Sequence, residues 1–263
     1  MNFWEIIKYF LLGAIQGLTE PLPISSSAHM GILAYVFGLK DNSLTFEILI
    51  NFASFLAITI ILFKQLKTDL FILGKVNFSF IFKLITASIP LVIVGFLLHD
   101  VLEKSVNNMT TIAISLIFTS LILFVSYLLI DKANSTNITY KHSFIMGIFQ
   151  SFAVLPGITR SGTVMLGGLV SKLNLKETLK FSFYMYMIAS LGSMVLKTPE
   201  LIASINKNTI PIPYYLIAFV SAFFFTTISF KWFMKIISKT SLLIFLVYTA
   251  ILGFSLIVYN FIY

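Results

Sequence analysis

Six stretches of this chain, at about 44–63, 80–98, 111–130, 176–196, 214–233 and 241–262, are apolar and long enough to cross a bilayer. Crossing takes roughly 20 apolar residues as a helix, because the hydrocarbon core is about 30 Å thick. Inside lipid every backbone N–H and C=O must bond within the protein, so runs of this length are helices. Composition agrees: charged residues are 11% of the 263 and hydrophobic residues 58%, whereas a soluble domain carries roughly 25% charged residues. The net charge of +8 is carried almost wholly by lysines in short segments between the apolar runs. That is the pattern of membrane topology, and no nucleic-acid partner is expected. The absence of cysteine excludes disulfides and thiolate metal sites.

Two further stretches, 3–38 and 141–172, are apolar at both ends and broken in the middle by Pro21-Leu22-Pro23 and by Pro156-Gly157. Proline removes a backbone donor and ends a helix, and the residue before it leaves helical geometry. Each is therefore expected to be a re-entrant helix–loop–helix, tolerated at membrane depth only where protein or water surrounds the loop. The run Phe3–Leu18 has no basic leader or small-residue cleavage site, so it is expected within the fold rather than as a signal peptide.

The broken stretches resemble each other. Gly13-Ala14-Ile15-Gln16 parallels Gly147-Ile148-Phe149-Gln150, and Leu22-Pro23-Ile24-Ser25 parallels Leu155-Pro156-Gly157-Ile158-Thr159 with single-residue slips. Each is followed by three spans, which reads as a duplication. The expected fold is all-α: one polytopic membrane domain over 1–263, with repeats at about 1–130 and 141–263. Three spans invert the second copy, so the two loops enter from opposite faces and meet near the midplane. Twelve lysines (64, 67, 75, 83, 132, 141, 172, 176, 180, 231, 235 and 239) fall on one side in this scheme, and five (8, 40, 104, 197 and 207) on the other. The positive-inside rule then places the first hairpin on the outer side.

Ionisable groups at membrane depth are costly and point to function. Glu20, His29 and Arg160 are those of the hairpins. Gln16 and Glu20 are four apart, on one helical face. Ser25, Ser26 and Ser27 sit where a helix should restart, and a serine-capped helix N-terminus binds anions. If the helix starts there, Ser26 and His29 share a face, the minimal pair for a base-activated nucleophile. The bland alternative is capping serines and a histidine bonded to nearby backbone. Arg160, in Thr159-Arg160-Ser161, is the one arginine among 18 basic residues. A guanidinium grips phosphate bidentately and stays charged when buried; its bland alternative is an ion pair with Glu20. Glu47 starts a span, where it complements the helix dipole or lines a cavity mouth. His99, Asp100 and Glu103 read as solvated, His142 as a loop residue, and the phenylalanines as lipid-facing.

These motifs resemble the undecaprenyl-diphosphate phosphatase family, the bacitracin-resistance proteins. Its (E/Q)-x-x-x-E, P-x-S-S-x-x-H and P-G-x-S-R-S patterns stand here as Gln16…Glu20, Pro23-Ile24-Ser25-Ser26-Ser27-Ala28-His29 and Pro156-Gly157-Ile158-Thr159-Arg160-Ser161. The similarity spans the chain, including Thr45-Phe46-Glu47 and Phe181-Ser182-Phe183. Thr159 replaces a serine, Val164 a common threonine, Ala28 a common glycine and Ile188 a common proline.

The resemblance implies hydrolysis of undecaprenyl diphosphate to the monophosphate and inorganic phosphate, recycling the cell-wall lipid carrier. It implies a bacterial plasma membrane, an active site open to the outer face, and a divalent cation, Mg²⁺ or Ca²⁺, held by Glu20 and Gln16. Ser26 is expected to attack, with His29 as base, while Arg160, Ser25, Ser27, Thr159 and Ser161 bind the diphosphate. Homodimerisation is left open. The competing reading is a transporter or flippase of a lipid phosphate or other anion, since inverted repeats also serve alternating access.

Overall fold

Over the described residues, each of the six apolar stretches is one helix, and each proline-broken stretch is two shorter ones. The computed structural model describes residues 2–38, 44–97, 109–155, 157–206 and 212–262. Pro156, Lys40, Lys104, Lys207, His99, Asp100 and Glu103 therefore lie outside the described residues. Those described form ten α-helices: α1 (Phe3–Thr19), α2 (Ser26–Val36), α3 (Leu44–Leu70), α4 (Phe78–Leu97), α5 (Met109–Leu129), α6 (Tyr140–Phe152), α7 (Arg160–Val170), α8 (Leu175–Asn206), α9 (Ile212–Ile236) and α10 (Lys239–Ile262).

Helices α3, α4, α5, α8, α9 and α10 are long and apolar enough to span a membrane. By contrast α2 and α7 have 11 residues each, or about 17 Å of rise, roughly half the hydrocarbon thickness. Two spans outrun expectation. α3 continues past residue 63 to Leu70, and α8 continues to Asn206 through Pro199. The lysines and glutamine after residue 63 end the apolar run but are good helix formers, so polarity marks the membrane boundary rather than the helix end. A two-stranded hairpin, Phe71–Ile72 with Lys75–Val76, turns the chain after α3. Its central residues Leu73 and Gly74 both have positive φ, the geometry of a tight hairpin turn.

Packing follows a pattern common to both halves. α1 lies along α9, and α6 lies along α4. In each pair a hairpin glycine meets a span alanine. A Cβ on Gly13 would stand 2.1 Å from the Ala218 carbonyl oxygen, and one on Gly147 would stand 2.3 Å from that of Ala87. Small residues let membrane helices approach this closely. Gly13→Val should therefore force α1 off α9, at a cost of about 1–3 kcal/mol. A lowered melting temperature in detergent is the expected reading, and an unchanged one would contradict the packing.

The lysine-bearing segments meet at one end of the bundle. There Lys180 pairs with Asp69 at 2.8 Å, Tyr184 donates to Asp69 at 2.7 Å, and Lys239 pairs with Asp131. Contacts between the backbone N–H of Asn2 and Tyr214, and between Tyr35 and Tyr259, mark the other end. Two expectations need correction. Phe181, Phe183, Phe230 and Phe233 do not face lipid but are buried together, with the Phe183 and Phe230 rings edge-to-face at 4.7 Å. Aromatic side chains fill a membrane core as readily as they face lipid, and hydropathy alone does not separate the two. His142 is not in a loop but in the first turn of α6, where it completes a capping box with Thr139.

Candidate active site

The turn after α1 ends at Ser25, which caps α2 with φ +69°, a left-handed conformation unusual for a residue with a side chain. Its hydroxyl accepts from the Ala28 N–H at 3.3 Å. Its carbonyl accepts from the His29 backbone N–H at 3.3 Å and from His29 Nδ1 at 2.7 Å. A carbonyl only accepts, so Nδ1 carries the proton. Nε2 shares a hydrogen bond with the Tyr248 hydroxyl, 2.7 Å away on α10. Both ring nitrogens of His29 are occupied, and neither meets Ser26.

Ser26 turns the other way. Its hydroxyl donates to Glu20 Oε2 at 2.5 Å, and Gln16 Nε2 donates to the same oxygen at 2.9 Å. Helical side chains lean toward the N-terminus, so the first residue of α2 reaches the preceding turn while His29 reaches back to the Ser25 carbonyl. The expected Ser26–His29 pair is thus replaced by a Ser26–Glu20 pair, and His29 instead holds the bent backbone of the serine turn.

The second hairpin closes on the first. The Gly157 N–H donates to Ser27 Oγ at 3.2 Å, and Ser161 Oγ donates to the Leu22 carbonyl at 3.1 Å. Gly157 has φ +85°, and a Cβ there would fall 2.7 Å from that of Ser115, so conformation and space both demand glycine. Thr159 caps α7 by accepting from the Gly162 N–H, and the Thr159 N–H donates to Thr119 on α5 at 3.3 Å. Thr159 stands at the start of α7 as Ser25 does at the start of α2, and each is followed by a first-turn residue of the expected site. Two serine- or threonine-capped N-termini therefore border one cavity, a doubled anion-binding geometry.

The cavity holds about 230 Å³ and is lined by Glu20, Ser25, Ser26, Ser27, Gly157, Thr159, Arg160 and Ser161, with Glu47, Asn51, Ser182 and Tyr186 from the spans. Residues more than 130 positions apart thus meet, as the hairpin model requires. Arg160 Nη1 stands 3.9 Å from Glu20 Oε1, close enough to pair but too far for a hydrogen bond. That nitrogen is buried with no hydrogen-bond partner among the described residues. The guanidinium lies over the Tyr186 ring, 5.0 Å from its centroid.

Gln16 and His29 do not line the cavity. Gln16 sits behind Glu20, and His29 sits behind Ser25. Glu47 does line it, which settles its placement in favour of a cavity wall. Asn51, four residues on and hence on the same helical face, lines it too. That spacing of two polar residues in an apolar span was a legible signal. Tyr186 and Tyr248 carried none, because only the tertiary fold brings them to Arg160 and His29. Val164, at the position of a common threonine, faces the hydrophobic core, and Ile188 is on the surface. Thr163 Oγ1 donates to the Arg160 carbonyl, within the first turn of α7.

The family model for the bacitracin resistance protein BacA matches residues 9–255. Undecaprenyl-diphosphatase 2 of Bacillus thuringiensis is 35% identical over 262 residues, covering 96% of this chain and 97% of that protein. The undecaprenyl-diphosphatase of Oceanobacillus iheyensis is 35% identical, covering 98% of each chain. That of Acholeplasma laidlawii is 37% identical, covering 95% of each.

Proposed function

The chain belongs to the bacitracin resistance protein BacA family, and from that premise we propose that it is a membrane phosphatase that hydrolyses undecaprenyl diphosphate to undecaprenyl phosphate and inorganic phosphate. The observation that carries the reading is the Ser26–Glu20 hydrogen bond of 2.5 Å within the cavity that also holds Arg160. A carrier needs an anion site; it has no use for a hydroxyl already bonded to a base.

Ser26 Oγ attacks the terminal phosphorus as its proton passes to Glu20. The bond from that phosphorus to the bridging oxygen breaks, and the polyprenyl monophosphate leaves. Water then attacks the phosphorus, its bond to Oγ breaks, Glu20 returns its proton to Oγ, and inorganic phosphate leaves with the protons of the water. Arg160 and the N–H groups at the starts of α2 and α7 face the diphosphate oxygens and stabilise the charge spread over them in the transition state. Gln16 orients Glu20. His29, holding the Ser25 carbonyl and held by Tyr248, positions the serine turn and acts through it.

The family resemblance also implies a divalent cation, and the donors suit one. Glu20 and Glu47 offer hard carboxylate oxygens to the same cavity, the ligand type of Mg²⁺ and Ca²⁺. These two residues, rather than Gln16, would hold the ion, which when bound supplies positive charge against the diphosphate. The lysine distribution supports a site opening to the outer face of a bacterial plasma membrane.

The test is phosphate release from undecaprenyl diphosphate by the purified protein in detergent with Mg²⁺ or Ca²⁺, where transport cannot register. Sustained release is expected. Binding of the lipid without release under either ion would favour the carrier instead.

A further inference from the structure

Resting on the phosphatase reading, we propose that Tyr186 is a positioning residue that holds the Arg160 guanidinium toward the substrate and off the carboxylate of Glu20. The side chain of Glu20 is 7% exposed and that of Arg160 31%, and a hydrogen-bonded arginine–carboxylate pair ordinarily closes to about 2.7–2.9 Å. Here the separation is 3.9 Å, and the buried Nη1 makes no hydrogen bond to any described residue. Something else holds the fork.

That something is the face of Tyr186. The guanidinium carbon lies 5.0 Å from the ring centroid, within cation–π range. The ring is itself fixed: it is 6% exposed, and its hydroxyl reaches Asn51, at 3.1 Å from Oδ1 and 3.4 Å from the backbone carbonyl. Tyr186 belongs to α8 and Asn51 to α3, so two spans outside the hairpins supply the platform. A diphosphate reaching Arg160 then meets a fork that need not first be torn from Glu20. Glu20 keeps Oε2 for the Ser26 hydroxyl whichever way the guanidinium faces, because Arg160 stands against Oε1. The arrangement therefore serves substrate binding, which suffers if the fork closes on the carboxylate.

The experiment compares Tyr186→Phe with Tyr186→Met, which keeps most of the volume but has no aromatic face. KM is measured on active protein, and the dissociation constant of undecaprenyl diphosphate in a Ser26→Ala background. Tyr186→Phe should raise both by about threefold or less, and Tyr186→Met by roughly tenfold, with melting temperatures alike. In an Arg160→Gln background the extra penalty of methionine over phenylalanine should vanish, which a packing role would not produce. Equal constants for the two variants, or a methionine penalty that persists without Arg160, would overturn the proposal. Should Tyr186→Met fail to fold, Tyr186→Leu likewise removes the aromatic face; a rise larger than that of Tyr186→Phe is then expected, and no such difference overturns the idea. A wild-type protein that releases no phosphate refutes the phosphatase reading instead, so the two failures are distinguishable.

Discussion

Ser26→Ala should lower phosphate release by at least roughly a thousandfold while leaving the affinity for undecaprenyl diphosphate within a few-fold of wild type. The hydroxyl is the attacking group in the proposed reaction, and alanine leaves nothing in its place. Binding rests instead on Arg160 and on the helix N-termini, none of which the substitution removes. Glu20→Gln keeps the shape but cannot take the proton, and should cost about 10²–10⁴-fold in kcat. The double variant should be little worse than Ser26→Ala alone, since the pair acts as one unit.

His29 separates the geometry from the pairing expected on sequence grounds. His29→Asn retains a donor able to reach the Ser25 carbonyl and should keep much of the rate that His29→Ala loses. Were His29 the base for Ser26, the two variants would be equally inactive. Phosphate release by these variants in detergent decides the matter. Substantial turnover in Ser26→Ala would end the covalent mechanism and favour attack by water with Glu20 as base.

Arg160→Lys should reduce kcat/KM by about a hundredfold or more although the charge is kept. The loss has two sources. An ammonium is a compact point charge that cannot grip two phosphate oxygens in a plane. It also lacks the flat face that lies over the Tyr186 ring 5.0 Å away, so it is free to settle against Glu20. Melting temperature and dispersity in detergent should be unchanged, because the ion pair it replaces has no hydrogen bond. Near-normal turnover in a folded protein would show that Arg160 contributes charge alone.

Spans and hairpin breaks were legible because their causes are local: lipid sets the length of an apolar run, and proline withdraws a donor wherever it stands. Glu20, Ser26 and Arg160 stood out because polar groups at membrane depth are costly and few. The partners of those residues were another matter. A spacing of three suggested that Ser26 meets His29, yet side chains on a helix lean toward its start. Only the turn geometry, with Ser25 at φ +69°, decides that Ser26 reaches Glu20 and His29 its own backbone. Tyr248 on His29, Tyr186 beneath Arg160 and Ser27 on Gly157 join residues 219, 26 and 130 positions apart. No local pattern encodes such pairs, because they depend on how whole helices rotate and pack. Local patterns set where the chain crosses, where it breaks and which chemistry it carries inward; which atom faces which follows only from how the helices pack.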